Sequence, residues 1–492
     1  MELYRLLLEA GFEKEQFKQL PNREIKGITC DSRRVKRGDI FVAIGGLRHD
    51  GAHFAADARL RGAALVVSER ICCEEQLLVT DARAALSSLC DAWCAHPGKE
   101  MKLIGITGTN GKTSTAAMLA WILKKAGKRV GVIGTVGATV NHARVTFENA
   151  DLLANMTTPD PTELYPMLAQ MRDEGVEYVV MEVTSHALSF SKVSPLWFSR
   201  AVFTNLSADH LDLHGDMESS FVEKRKLFSQ CDHAIVSLST PFGERLCEGL
   251  ECPLDVVNEE NLLDVKEEGI KGVSFRLLCR GDELCLTLPV PGRFSVENGA
   301  LAAMTAYSLG IDGNMICEAL ACFPGVRGRM ERVEVSGLPI TAFLDYAHTP
   351  DALEKLLQTV RGFVTPAQRI TLLFGCGGDR DRYKRRVMGA IASRHADLVI
   401  LTSDNARGED PQAILAEILR GIDKEKPYIV IPDRQRAIRY AVENATVGEV
   451  LVLAGKGHEE YEIKGSERLP FSEREILTDC MRERLARWKH EN

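Results

Sequence analysis

The stretch "GITGTNGKTSTAAMLAWILKKAGKRVGVIGT", residues 105 to 135, decides how this chain is read. A standard phosphate-binding loop, G-x-x-x-x-G-K-[ST], has four residues between its glycines. Here Gly105 and Gly111 are separated by five residues, with Gly108 between them. The preceding run "KLIGIT", Lys102 to Thr107, is apolar and β-branched, as a buried strand requires. From Thr113 a helical period sets in, with Ala117, Leu119, Ile122 and Leu123 on one face, and it stops at Gly127. "RVGVIGT" reads as the next strand. Strand, glycine-rich turn, helix and strand make a βαβ unit whose turn offers backbone N–H groups at a helix N-terminus, where anions bind. Lys112 is then placed to reach the β- and γ-phosphates, and the Thr113 hydroxyl to ligate Mg²⁺. The bland reading is a tight turn followed by a surface lysine. Gly-Lys-Thr at the strand-to-helix junction favours the phosphate cradle.

The whole chain sets the frame. Its 492 residues exceed one core and suit about three domains. A net charge of −8, with no basic arm, argues against broad nucleic-acid binding. No 18 apolar residues run together, so no membrane insertion is expected. "MELYRLLLEAGFEKEQF" is a charged amphipathic start and not a signal peptide. The 14 cysteines lack C-x-x-C spacing, which suits thiols in a reducing cytoplasm.

Three segments follow. Residues 1–97 hold short β-like pieces, "GITCDS", "GDIFVAI" and "AALVVSE". Residues 98–329 begin with the βαβ unit and continue with "EYVVMEVTS" and "RAVFTNLS". Residues 330–492 carry "ITAFLDYAH", "RITLLFGCGG", "DLVILTSDN", "YIVIP" and "EVLVLAGKG", alternating with helical segments. Such near-continuous apolar runs signal parallel sheets. The expected class is α/β in three domains: a small N-terminal α/β domain, a central P-loop ATPase-like parallel sheet, and a C-terminal Rossmann-like domain. Ligands in such sheets bind beyond the carboxyl ends of the strands.

Two further stretches carry chemistry. "VVMEVTSHAL" puts Glu182 near a strand end, where it is either functional or a cap for the following helix. "TNLSADHLDLHGDM" holds Asp209, His210, Asp212, His214 and Asp216 within eight residues, either an acidic loop or a metal site.

The combination resembles the Mur ligases of bacterial cell-wall synthesis, most closely the MurE type. The resemblance rests on "DSRRVKRGDIFVAIGG", "GTNGKTS", "TTPDP", "MEVTSHAL", "TNLSADHLDLHGDM", "PGRFSVENGALA", "GVRGRMERVE", "LDYAHTPDAL", "FGCGGDRDRYKR" and "LAGKGHEEY", in that order along nearly the whole chain. It implies a cytoplasmic, monomeric, ATP-dependent amide ligase. The carboxylate of UDP-MurNAc-L-Ala-D-Glu would attack the γ-phosphate of ATP, and an amino acid's amine would displace phosphate from the acyl phosphate.

By the same resemblance, ATP would meet Gly108, Thr109, Asn110, Gly111, Lys112, Thr113 and Ser114, together with Asn298, Arg329, Asp345 and His348. Mg²⁺ would be held by Thr113, Glu182, His210 and Lys224, with Lys112, Glu182, His210 and Lys224 carrying the catalysis. Lys224, ten residues after His214, is the position the family carbamylates to N6-carboxylysine; taken alone it is a solvated helix lysine. Thr157, Thr158 and Ser185 would hold the muramoyl dipeptide and Ser32 the uridine diphosphate end. Lys192 stands where the family usually has arginine, so a point charge replaces a fork.

"DNAR", Asp404, Asn405, Ala406 and Arg407, resembles the D-N-P-R of members that add meso-diaminopimelate, with alanine in place of proline. Arg407 would pair the far carboxylate, Arg380 and Asn405 would add donors, and Gly455 and Glu459 would take the far ammonium. L-lysine is the alternative substrate. Folylpolyglutamate synthetase shares the loop chemistry but resembles "DGAHN" where this chain has "DYAHTP". A regulatory GTPase would need N-K-x-D, which the sequence lacks.

Overall fold

In a computed structural model, which describes residues 1–46, 50–140, 143–144, 156–207, 216–465 and 467–491, the pieces of the first segment form one parallel sheet. Its strands β1 (Gly27–Thr29), β2 (Asp39–Val42), β3 (Leu65–Ser68) and β4 (Gln76–Leu78) lie in sequence order. Every residue of β2 and β3 is buried, as uninterrupted apolar runs demand.

An eight-stranded sheet follows. Its strands are β5 (Lys102–Thr107), β6 (Val130–Gly134), β7 (Gly137–Val140), β8 (Ala143–Arg144), β9 (Tyr178–Glu182), β10 (Arg200–Phe203), β11 (Ala234–Ser237) and β12 (Leu254–Val257). Their order is β12-β11-β10-β5-β9-β6-β7-β8. The neighbours from β11 to β6 are parallel, and β7 and β8 return antiparallel.

β5 and β6 are not neighbours, because the crossover skips one position and β9 fills it; Ile106 of β5 thereby sits in register with Glu182. The helix after the glycines, Lys112–Lys125, is not buried on one face alone. Thr115, Ala116, Met118, Leu119, Ala120, Ile122 and Leu123 are all buried while Ala117 is half-buried, since small side chains let neighbours approach from several sides.

Between the second and third apolar series lies an antiparallel meander that the apolar runs did not announce: β13 (Leu262–Glu267), β14 (Val273–Cys279) and β15 (Asp282–Leu288). Its signal is period two, and β14 and β15 bury alternate residues. The last sheet has six strands, β16 (Glu331–Val333), β17 (Thr341–Asp345), β18 (Ile370–Phe374), β19 (Leu398–Leu401), β20 (Tyr428–Val430) and β21 (Val450–Ala454), in the order β16-β17-β21-β18-β19-β20. Only its edge strand β16 is antiparallel.

The chain divides into two compact units: Met1–Gly108, Leu123–Thr204 and Ser220–Val256 in one, Thr109–Ile122, Asn205–Ser219 and Val257–Asn492 in the other. Among the described residues no helix is long and apolar enough to cross a membrane.

Candidate active site

The glycine-rich loop is held by its backbone conformation and by hydrogen bonds to Asn205, Ser207 and Asp351. Gly108 and Gly111 have φ of 145° and 84°, values that L side chains avoid. A Cβ on Gly111 would lie 2.3 Å from Asn298 Oδ1, so glycine is also needed for close approach. Thr109 N donates to Asn205 O (2.9 Å) and Asn110 N to Asn205 Oδ1 (3.0 Å). Asn110 Nδ2 donates to Asp351 Oδ2 (2.8 Å) and to Ser207 Oγ (3.3 Å). Lys112 Nζ curls back to Thr109 O at 2.8 Å. Ser114 lies half-buried in the first turn of the helix.

Four residues distant in sequence complete this neighbourhood. Asn298, buried in the helix Arg293–Ser308, accepts from the Thr115 hydroxyl at 3.3 Å. Arg329 Nη2 donates to Thr113 Oγ1 at 3.3 Å and its guanidinium stacks 4.6 Å from the Tyr346 ring centroid. Asp345, at the end of β17, accepts from Met330 N (2.7 Å) and Ala347 N (2.8 Å), which ties it to the residue after Arg329. Burial pushes its carboxyl up, against the pull of Arg329. His348 Nδ1 lies 2.9 Å from Tyr346 O. Asn205, Ser207 and Asp351 were missed as loop partners, although each lies inside a quoted motif, because nothing in a motif tells which side chain turns towards the loop.

Glu182 ends β9 and is buried. Its carboxylate accepts from Thr135 N (2.9 Å) and the Thr135 hydroxyl (3.0 Å). The helix after it, Ser185–Ser189, is capped by Thr184, whose hydroxyl accepts from Ala187 N at 3.1 Å. The helix-cap reading of Glu182 therefore fails.

The residues expected to hold the dipeptide gather in the same place. The Thr157 and Thr135 hydroxyls are 3.1 Å apart, and the Thr158 hydroxyl donates to Glu182 O at 2.9 Å. Ser185 is buried in the next turn. Lys192, buried, donates to Thr158 O (3.2 Å) and pairs Asp160 at 2.7 Å. Ser32 begins a single 3₁₀ turn capped by Asp31. Burial, and then the Asp160 carboxylate, push the nearby Cys30 thiol up.

Lys224 is buried in the helix Met217–Arg225 and donates to Ser220 Oγ at 2.9 Å. Lys226, by contrast, is exposed and pairs Glu223 at 2.8 Å. The solvated-lysine reading fits Lys226 and fails for Lys224. Asp209, His210, Asp212 and His214 lie outside the described residues. Asp216 accepts from Ser219 N at 2.7 Å, as a helix-start carboxylate does.

The third group lies in the last sheet. The Asp404–Arg407 loop follows β19, and Gly455–Tyr461 follows β21. Arg407 has φ 51° and is held by Nη1 bonds to Gly378 O (2.9 Å) and Asn405 O (3.3 Å). A Cβ on Gly377 would meet Arg407 Nη1 at 2.8 Å and Arg380 Cγ at 3.9 Å, which puts both arginines beside one glycine. Asn405 Nδ2 donates to Glu459 Oε2 at 2.8 Å. A Cβ on Gly455 would lie 2.8 Å from Asp404 Oδ2. Burial raises the Glu459 carboxyl, with Lys456 opposing it. For Asp404, burial is outweighed by Lys456 and Arg434, and the carboxyl lies below its ordinary value. Ala406 is buried, so the missing proline leaves the loop packed.

Parallel sheets with a glycine-rich loop at the end of one strand and a charged pocket at the end of another are the frame of an α/β nucleotide-binding protein. Three family models match in chain order: the Mur ligase family catalytic domain (residues 24–90), the Mur ligase middle domain (106–307) and the Mur ligase glutamate ligase domain (328–457). The chain belongs to the Mur ligase family, whose members are ATP-dependent, ADP-forming ligases, and it has their three-domain architecture. It is 40% identical to the UDP-N-acetylmuramoyl-L-alanyl-D-glutamate–2,6-diaminopimelate ligase of Syntrophomonas wolfei, over 94% of this chain and 95% of that protein. Identity to the enzyme of the same name from Caldanaerobacter subterraneus is 39%, over 96% and 97%. A solved structure of a ligase of that name superposes with a TM-score of 0.67 at 28% identity, covering 98% of this chain and 99% of the other.

Proposed function

We propose that this chain joins meso-diaminopimelate to UDP-MurNAc-L-Ala-D-Glu with cleavage of ATP to ADP and phosphate, in the cytoplasm. The observation that carries the choice of amino acid is Arg407. Among the described residues its guanidinium hydrogen bonds run from Nη1 alone, so the Nε–Nη2 edge is left for a carboxylate fork. Asn405 and Glu459 stand hydrogen-bonded in the same pocket, a carboxylate suited to the neighbouring ammonium. Diaminopimelate carries such a carboxylate–ammonium pair at its far carbon, whereas lysine has the ammonium only.

The reaction follows from charge. The D-Glu side-chain carboxylate attacks the γ-phosphorus, the bond to ADP breaks, and an acyl phosphate forms. The free amine then attacks the acyl carbon, phosphate leaves, and the amine's proton is lost to solvent. Lys112 and the loop N–H groups stabilise the transferring phosphoryl charge. Asn298, Arg329, Asp345 and His348 are assigned to the nucleotide, and Thr157, Thr158, Ser185, Lys192 and Ser32 to the muramoyl substrate.

The oxygen donors Glu182 and Thr113 suit Mg²⁺, which prefers oxygen, and His210 is assigned beside them. When bound, that ion neutralises phosphate charge so that the two anions can meet. An ammonium cannot ligate a cation; Lys224 is assigned as a carbamate, formed when its neutral amine adds CO₂ and releases a proton. The burial of Lys224 beside Ser220 supports this over Lys226.

The experiment is ligation by the purified chain with ATP, UDP-MurNAc-L-Ala-D-Glu and either diamino acid, read as ADP release and product mass. Diaminopimelate is expected to be favoured over L-lysine by about 10² or more in kcat/KM, the cost of a guanidinium left unpaired. Equal values would overturn the assignment.

A further inference from the structure

Lys456 has 0% exposure, a place where an ammonium is found only with its donors used. Nζ donates to Tyr461 O (2.8 Å), Asn405 Oδ1 (3.0 Å) and Glu459 Oε2 (3.3 Å), and Asp404 Oδ1 lies 3.9 Å away. These contacts orient two groups of the amino-acid pocket. Asn405 Oδ1 also accepts from Ile463 N at 2.9 Å, so its amide has one workable orientation: the oxygen faces two donors and Nδ2 turns to Glu459 Oε2. Glu459 Oε2 is thereby occupied by Lys456 and Asn405 together, while Oε1 accepts a long hydrogen bond from the Tyr461 hydroxyl (3.4 Å) and keeps a lone pair for a ligand ammonium. The lysine also offsets one of two neighbouring carboxylates, so Asp404 and Glu459 can share a buried pocket.

We infer that Lys456 is a positioning residue for the incoming diamino acid, setting the Asn405 amide and the Glu459 carboxylate at the geometry that receives its far ammonium. The inference rests on the function proposed above. It assigns a task to Lys456 of "GKGHE", which the resemblance left without one and which the sequence presents as an ordinary lysine. Support residues of this kind fix first-contact groups to within fractions of an ångström.

The test compares the full-length enzyme with Lys456→Met, which keeps the volume and removes the donors, and with Lys456→Arg, which keeps the charge. Lys456→Met is expected to raise the KM for diaminopimelate about tenfold or more, the scale of one lost charge-assisted hydrogen bond, while the KM values for ATP and the muramoyl dipeptide stay within about twofold. Lys456→Arg is expected to show the same selectivity with a smaller rise. In a double-mutant cycle Asn405→Ala should raise that KM less in the Lys456→Met background than in the wild type, because the amide has already lost its orientation. Unchanged KM for diaminopimelate, equal increases for all three substrates, additive effects in the cycle, or loss of folding in both variants would each overturn the inference. Wild-type enzyme that fails to use diaminopimelate would instead overturn the proposed function, so the two failures are distinct.

Discussion

The glycine-rich loop and the Asp404–Arg407 loop both follow the carboxyl end of a buried parallel strand, yet different forces fix them. The first is held by positive-φ glycines and by hydrogen bonds mostly among neutral groups such as Thr109, Asn110 and Asn205, with the Asp351 carboxylate accepting from Asn110. The second is held by buried charge: Lys456 among Asp404, Asn405 and Glu459, and Arg434 paired to Glu473 at 2.7 Å while donating to Ser403 O and Ala454 O. In the proposed function the loop's attraction for phosphate comes from Lys112 and the helix N-terminus behind it. A pocket for a zwitterionic group gains from fixed charges of both signs, and those require partners to survive burial.

The contrast can be broken where it is sharpest. Lys112→Ala should lower kcat about a thousandfold, since this cation is the loop's charged contribution to the transferring phosphoryl group, while the melting temperature barely moves. A folded variant with near wild-type turnover would refute the cradle. Lys224→Ala should lose activity on a similar scale, with a short carboxylic acid restoring part of it by standing in for the carbamate. A bare amine at Lys224 by mass spectrometry and ¹³C NMR in CO₂-equilibrated, nucleotide-bound enzyme would count against the carbamate. Arg407→Ala should abolish most of the roughly 10²-fold preference for diaminopimelate and leave the KM for ATP unchanged, which separates the two loops directly.

The smallest effect concerns the scaffold of the charged pocket. Glu409 accepts from Arg385 Nη1 and Nη2 and from Asp379 N, in the loop that carries Arg380 and the Gly378 carbonyl used by Arg407. The Arg385 hydrogen bonds hold its carboxyl at about 2, below the ordinary 4.5. Because the folded value is depressed, the stabilisation is complete above about 4.5 and is lost as pH falls through 2. Glu409→Gln should therefore cost about 1–2 kcal/mol at pH 7, discounted for its partial exposure, and the gap to wild type in thermal melts should close towards pH 2–3. A gap that stays constant with pH would assign the loss to packing alone.

Much of this was legible in the residues. The apolar runs located β5, β9, β10 and β17 to β21, and the glycine-rich motif located the loop, because burial on both faces and positive φ leave local marks in a sequence. The meander β13 to β15 escaped because its mark is alternation in residues such as "VSFRLLC". Glu182 and Lys224 could be named only by resemblance: the stretch around Glu182 fitted a helix cap as well as a functional carboxylate, and that around Lys224 favoured a solvated lysine.

By itself the sequence determined the α/β class, the glycine-rich loop and the identity of the charged residues around "DNAR" and "GKGHE", all consequences of interactions among near neighbours in the chain. The tertiary structure decided that β9 lies between β5 and β6, that Lys224 and not Lys226 is withdrawn from water, and that Lys456 locks Asn405 against Glu459. Strand order and burial depend on segments far apart in the chain packing against each other, and the orientation of an amide depends on which donors that packing brings within 3 Å of its oxygen.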